Sequence, residues 1–219
     1  MSTDEASDPG MPARQNRANP RQRAQREETR AKLLDGAVRV FAQKGYASAT
    51  VDDVLQESGV SRASFYAHFP SKLALVEAMA DAFVSIWQPI YDALAAMPAP
   101  DLGQLEDWCR RNVALYRQHE ATCVVLTQAA AAEPDLYWKI AGYQDALINM
   151  LAHRNAALGH LAHDGAARHR AAFALSQLDQ ACYFLTVRAD RQDPEIGIAA
   201  MASQLHHFFE SEMARGDAA

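Results

Sequence analysis

The chain has 219 residues, a formal net charge of −6 and 49% hydrophobic residues, enough apolar material for one or two helical domains with a genuine core. Three cysteines without metal-ligand spacing argue against a disulfide scaffold. An N-terminus that is acidic and then rich in Arg, Gln and Pro argues against secretion, and the lack of a long uninterrupted apolar run argues against a membrane span. The expectation is a soluble, cytoplasmic, all-α protein, because Ala is abundant and alternating or β-branched runs are scarce.

The charge is unevenly spread. Between Arg14 and Lys72 there are eleven Lys or Arg against six acids, whereas residues 73–219 are strongly acidic. A basic head on an acidic body suits a head that meets phosphate and a body that does not.

In chain order, residues 1–25 are polar, aperiodic and interrupted by Pro, so they are expected to be disordered. Their Arg14, Arg17, Arg21 and Arg23, with Arg26 just beyond, either reach DNA phosphates and the minor groove or serve as a solubilising tail. A helix is predicted from Glu27 to Lys44, with Ala31, Leu34, Val38 and Phe41 on one face and Gly45 closing it. Tyr46 is expected to cover the small core with its ring and leave its hydroxyl exposed.

Two short helices follow, Val51 to Glu57 and one opening at Ser61, with Thr50 and Ser61 placed as N-caps and Gly59 in the turn. Val51, Val54 and Leu55 on the first and Val60, Phe65 and Phe69 on the second point inward. Arg62, Ser64, Tyr66 and His68 are left to face elsewhere. The pair buries too little to stand alone and takes the helix at 27–44 as its third member, giving a helix-turn-helix domain over residues 26–72.

Residues 73–219 read as a helical body. Ser71 caps a linking helix to about Gln88, which Pro89 is expected to kink or stop. Further helices are predicted over Asp101 to Gln118, Glu120 to Ala132, Pro134 to about His160, Asp164 to about Val187, and from the Asp193 cap and Pro194 to about residue 214. Cys109, Cys123 and Cys182 fall inside helical patterns as core thiols.

From Thr29 to Lys72 the chain resembles the N-terminal domain of the TetR family of bacterial transcriptional regulators. The match covers LLDGAVRVFAQKGYASATVDDVLQESGVSRASFYAHFPSKLAL: a Phe before a Gly–Tyr turn, a Thr cap, Gly-Val-Ser, Phe-Tyr-x-His-Phe and Ser-Lys in one order. One departure is Ala63, where the family often has Gly; its methyl limits backbone approach but also suits a thymine methyl.

The resemblance implies that the second helix of the pair enters the major groove of double-stranded operator DNA. Arg62 and Ser64 then face base edges, Ser61 both caps and touches phosphate, and Tyr66 and Lys72 donate to phosphates. Thr50 caps alone or caps and touches phosphate, and His68 either packs as a spacer or donates to phosphate. The family also implies a homodimer matched to a palindromic operator, built from the last two long helices. Leu178, Cys182, Leu205, Phe208 and Phe209 are the expected interface residues. A cavity for a small, mostly apolar effector is implied in the middle helices, with Trp87, Trp108, Tyr116, Thr122, Trp138, Tyr143 and Tyr183 as expected lining. Effector binding would shift the linking helix and release the operator. A transcriptional activator, or a regulator without an effector, remains open at this point. No catalytic motif, metal cluster or cofactor fingerprint is present, so neither enzyme activity nor a cofactor is expected.

Overall fold

The computed structural model describes residues 20–187 and 193–216. Among them are nine α-helices and one 3-10 helix: α1 (Pro20–Lys44), α2 (Val51–Ser58), α3 (Arg62–His68), α4 (Lys72–Ala95), α5 (Leu102–Gln118), α6 (Glu120–Ala132), α7 (Pro134–Arg154), a 3-10 helix (Ala156–Ala162), α8 (Gly165–Val187) and α9 (Pro194–Gly216). No strand occurs among the described residues.

The punctuation read from the sequence explains most boundaries. Gly45 ends α1 at φ 79°, its N–H donating to Phe41 O at 2.9 Å, and Gly59 ends α2 at φ 66° with its N–H on Leu55 O. Ser61 Oγ accepts from Ser64 N, Ser71 Oγ from Ala74 N, Asp164 Oδ1 from Ala166 N and Asp193 Oδ1 from Glu195 N.

Four expectations change. Helix α1 starts at Pro20 rather than Glu27, so residues 20–25 of the expected tail are helical; residues 1–19, with Arg14 and Arg17, lie outside the described residues. Proline is suited to a first helical turn, and the Arg, Gln, Ala and Glu that follow are good helix formers. Pro89 does not stop α4, which continues to Ala95. Helix α7 ends at Arg154, where the buried Asn155 turns the chain: its Nδ2 donates to Met97 O at 2.8 Å and its Oδ1 accepts from Ala157 N. Finally, α4 is long and apolar enough to cross a membrane by length and hydropathy. Its apolar face is spent on α1, α5, α6 and α7 instead, with Leu75, Val76, Met79, Phe83, Tyr91 and Leu94 buried.

Helices α1–α3 form the head. Leu33, Ala37, Val40, Phe41, Val54, Phe65 and Phe69 close its core. Gly36 lets α1 and α2 approach, since a Cβ there would stand 3.1 Å from Ser58 Cβ. Helices α4–α9 form the body, with α5 against α8 and α9, and α4 against α6 and α7. Head and body share one continuous core through α4 and the contact of α1 with α6.

Candidate functional site

On the head, α3 is fixed from behind and open in front. Phe65 and Phe69 face inward with ring centroids 6.0 Å apart, and Arg30 of α1 lies over the Phe69 ring at 5.7 Å. That leaves Ser61, Arg62, Ala63 and Tyr66 exposed and Ser64 and His68 half-buried along one face. The Tyr66 ring packs edge-on against Phe65 and stays half exposed. Arg62 forms an exposed ion pair with Asp52 of α2. Such a pair contributes little stability, so the guanidinium is held in place without being committed. Ser61 accepts from Ser64 N and keeps its own hydroxyl proton for another partner.

His68 leans toward α1. Burial, then the charges of Arg26 and Arg30, hold its imidazolium form down, so the ring is neutral at physiological pH. A spacer role, with its ring 6.1 Å from Phe69, accounts for that geometry.

Two expected phosphate donors have other commitments. Thr50 is one half of a capping box: its Oγ1 accepts from Asp53 N and donates to Asp53 Oδ2 at 2.8 Å, while Thr50 N donates to the same oxygen. Hydrogen bonds from Lys44 and Thr50 hold the Asp53 carboxyl down to about 2. Lys72 Nζ donates to Tyr46 O at 2.9 Å and Ala49 O at 3.0 Å and lies 4.3 Å over the Tyr46 ring. It is the anchor of the turn between α1 and α2, with one N–H left over.

That turn is also gripped from the body. Tyr46 is buried, and its hydroxyl, expected to be exposed, donates to Glu133 Oε1 at 2.8 Å, while its N–H meets Gln128 Oε1 at 3.2 Å. Periodicity could not show this contact, because it spans 87 positions.

In the body the expected lining residues separate. The Trp87 and Tyr116 rings lie 4.7 Å apart, tilted by 50°, and Trp87 also neighbours Phe83 and Tyr91. Trp108 is fully buried with its Nε1 donating to Ile90 O at 2.7 Å, so it is core joining α5 to α4. Trp138 is 70% exposed and lines nothing internal; in this turn of α7 it is Leu136 that is buried, and Trp138 points away from it. Tyr143 donates to Asp81 Oδ1, beside Lys139 on the same carboxylate, and so ties α7 to α4. Thr122 and Tyr183 are half-buried, Tyr183 against the core.

The sequence reading missed Tyr91, Asn112 and Asp179. Asn112 is fully buried within the α5 stripe of Leu105, Trp108, Cys109, Val113 and Tyr116. A polar residue in the middle of such a stripe was the available signal. Its Nδ2 is 3.5 Å from Cys182 Sγ, one turn of α8 from Asp179, which accepts from the Tyr116 hydroxyl. Burial pushes the Asp179 carboxyl up to about 6 and the Cys109 and Cys123 thiols up to about 12, which makes both thiols poor nucleophiles.

Four of the expected interface residues are interior. Leu178, Cys182, Leu205 and Phe209 are buried within the single chain and Phe208 is half-buried, because the large apolar groups of α8 and α9 pack on each other and on α5. Leu178 and Leu205 still floor a shallow surface groove with Ala174, Gln177, Met201 and Gln204. The exposed apolar groups of this helix pair are Phe173, Phe184, Val187 and Ile196.

A short three-helix head with a capped, outward-facing last helix, set on an all-helical body, is a helix-turn-helix architecture. Residues 33–79 match the family model of bacterial regulatory proteins, tetR family. The HTH-type transcriptional regulator SrpR of Pseudomonas putida is 39% identical over 56 residues, 26% of each chain. The HTH-type transcriptional regulator EthR of Mycolicibacterium smegmatis is 29% identical over 119 residues, 51% of this chain and 53% of EthR. These matches thus span about a quarter to a half of the relatives' length. Among solved structures, the transcriptional regulator FadR from Bacillus subtilis in complex with stearoyl-CoA superposes with a TM-score of 0.61 at 15% identity, over 83% of this chain and 98% of that one. At that identity the likeness is one of fold.

Proposed function

We propose that this chain is a cytoplasmic, sequence-specific, dimeric DNA-binding repressor, released from its operator by a small ligand bound in the body. The observation that carries the proposal is the outer face of α3. Arg62, Ala63, Ser64 and Tyr66 project from a helix whose inner face is locked by Phe65 and Phe69 and whose N-terminus is capped by Ser61. Such a helix presents one Arg for guanine O6 and N7, a small surface for a thymine methyl and a phenol for phosphate. Seven residues read too few base pairs for one operator, so two copies related by a two-fold axis are needed, on a palindromic site.

The exposed Phe173, Phe184 and Ile196 on α8 and α9 are the surface offered to the second copy. That FadR, which shares this fold, was solved in complex with stearoyl-CoA supports a small-molecule effector. Selection of bound sequences from a random DNA pool tests the function. A palindromic consensus, bound with two chains per duplex, is expected. Enrichment of no sequence would refute it.

A further inference from the structure

Two buried polar atoms in the body have no hydrogen-bond partner, and a carboxylate raised by desolvation belongs to the same region. Asn112 is fully buried, and its Oδ1 has no partner. Trp87 Nε1, also buried, has none either. Asp179 accepts from the Tyr116 hydroxyl, and none of the described ion pairs includes it. Buried orphans of this kind are rare and costly, and call for an occupant.

The three belong to one place. Asn112 Nδ2 is 3.5 Å from Cys182 Sγ, Cys182 is one turn from Asp179, and Tyr116 joins Asp179 to the Trp87 ring, whose centroid is 4.7 Å from its own. The Tyr91 hydroxyl sits among Asn112, Asp179 and Cys182. Asp179 has accessible surface although its neighbours on α8, Leu175, Leu178 and Cys182, are buried, and burial raises its carboxyl.

The chemistry of this space has a sign. A carboxylate, an amide oxygen and the faces of Trp87, Tyr91 and Tyr116 all attract positive charge and N–H donors. Trp87 Nε1 and the Tyr91 hydroxyl are the proton donors of the site. An uncompensated carboxylate in a desolvated site repels an anionic ligand and gains a partner from a cationic one. We propose that the effector is a lipophilic ammonium-type cation bearing at least one N–H, its nitrogen between the Asp179 carboxylate and Asn112 Oδ1 and its apolar part against Trp87, Tyr91 and Tyr116. This rests on the effector-responsive reading above and sets it apart from an acyl-CoA regulator.

The test is a charge series on one apolar scaffold: 1-naphthylmethylammonium, its neutral alcohol 1-naphthylmethanol, its carboxylate 1-naphthoate, and the N-trimethyl form of the ammonium, with stearoyl-CoA as a separate anion. Binding to the full chain is read by calorimetry. The ammonium is expected to bind roughly ten-fold or more tighter than the alcohol, with the carboxylate weakest and the trimethyl form between. Asp179→Asn should abolish the preference for the ammonium over the alcohol while the protein melts no lower than wild type. Should that variant fail to fold, the order of affinities on the wild-type chain decides alone. Equal or tighter binding of the alcohol, the carboxylate or stearoyl-CoA, or no binding of the ammonium, overturns the proposal. Operator binding is followed separately by fluorescence anisotropy. Specific DNA binding released by stearoyl-CoA and not by the ammonium sinks the cation proposal and leaves the regulator standing. Ammonium binding without any sequence-specific DNA binding does the reverse.

Discussion

The hydroxyl of Tyr46, on the turn between α1 and α2, donates to Glu133 at the end of α6 at 2.8 Å. The carbonyl of the same residue accepts from Lys72 at the start of α4, and its N–H meets Gln128 on α6. Two helices of the body therefore hold one turn of the head, so α4 and α6 cannot shift relative to each other without pulling on it.

Tyr46→Phe keeps the ring edge-on against Phe41 and deletes only the oxygen. The expected outcome is a loss of about 1 kcal/mol of stability and faster amide hydrogen exchange across residues 45–50, with α3 amides less affected. Glu133→Gln retains an acceptor and should show a smaller effect. Exchange in the turn equal to wild type in both variants would show that the contact does not restrain the head.

Arg62 is held by Asp52 in the DNA-free chain. Arg62→Ala should lower affinity for the selected operator more than for random DNA, by about 1–3 kcal/mol if it grips a guanine. Asp52→Ala removes a carboxylate from beside the groove and frees the guanidinium, so affinity should rise on both DNAs, and more steeply at low salt. Competition gel shifts at two salt concentrations decide. Equal losses on both DNAs for Arg62→Ala would remove it from base reading.

Lys72 carries a structural commitment on the head beside the phosphate contact expected of it. With two backbone carbonyls and the Tyr46 ring around its ammonium, Lys72→Met should lower the melting temperature, as loss of charge-assisted hydrogen bonds of about 1.5–3 kcal/mol in all requires. The salt dependence of DNA binding should keep a slope close to wild type. A slope flatter by about one counterion, with unchanged stability, would restore the phosphate role expected from the family resemblance.

What could be read from the sequence was whatever is encoded within a turn or two of the chain. Ser61, Gly59, Gly45, Ser71 and the Asp193–Pro194 pair each dictate backbone geometry locally, and the structure places all of them where the chain implies. Phe65 and Phe69 likewise sort themselves inward by helical spacing. What escaped depends on distant partners. Nothing near Lys72 announces that its ammonium will meet carbonyls more than twenty residues earlier, and nothing near Tyr46 announces Glu133. Apolar size also misled at the helix pair α8–α9. Leu178, Cys182 and Phe209 are large or apolar because they fill the chain's own core, whereas Phe173, Gln177, Gln180, Phe184 and Val187 form the outward stripe. The aromatic inventory overestimated the body site for the same reason: Trp138 is at the surface, and the informative residues are the polar Asn112 and Asp179.

Glu212 of α9, 1% exposed, accepts Arg170 Nε at 2.6 Å and Nη2 at 2.9 Å and lies 3.0 Å from His160 Nε2. Burial alone would raise its pKa, but the hydrogen bonds of Arg170 and His160 and the charges of Arg170 and Arg215 bring it below the ordinary value. A carboxyl depressed in the folded state stabilises fully above its unfolded pKa, about 4.3, and this stabilisation is lost as pH falls through the folded value. The wild-type chain should therefore lose stability as the pH drops below about 4.3, in part through this residue. Glu212→Gln should lose up to about 3 kcal/mol already at neutral pH, since it leaves Arg170 with only the Asp164 carboxylate, 3.9 Å away, in a half-enclosed site. It should also show a shallower acid limb than wild type, because the group whose protonation costs stability is gone. Chemical denaturation from pH 7 down to pH 3 measures both quantities. Parallel acid limbs for the two proteins would show that Glu212 keeps an ordinary pKa in the fold and that its contacts with Arg170 and His160 carry no net charge stabilisation.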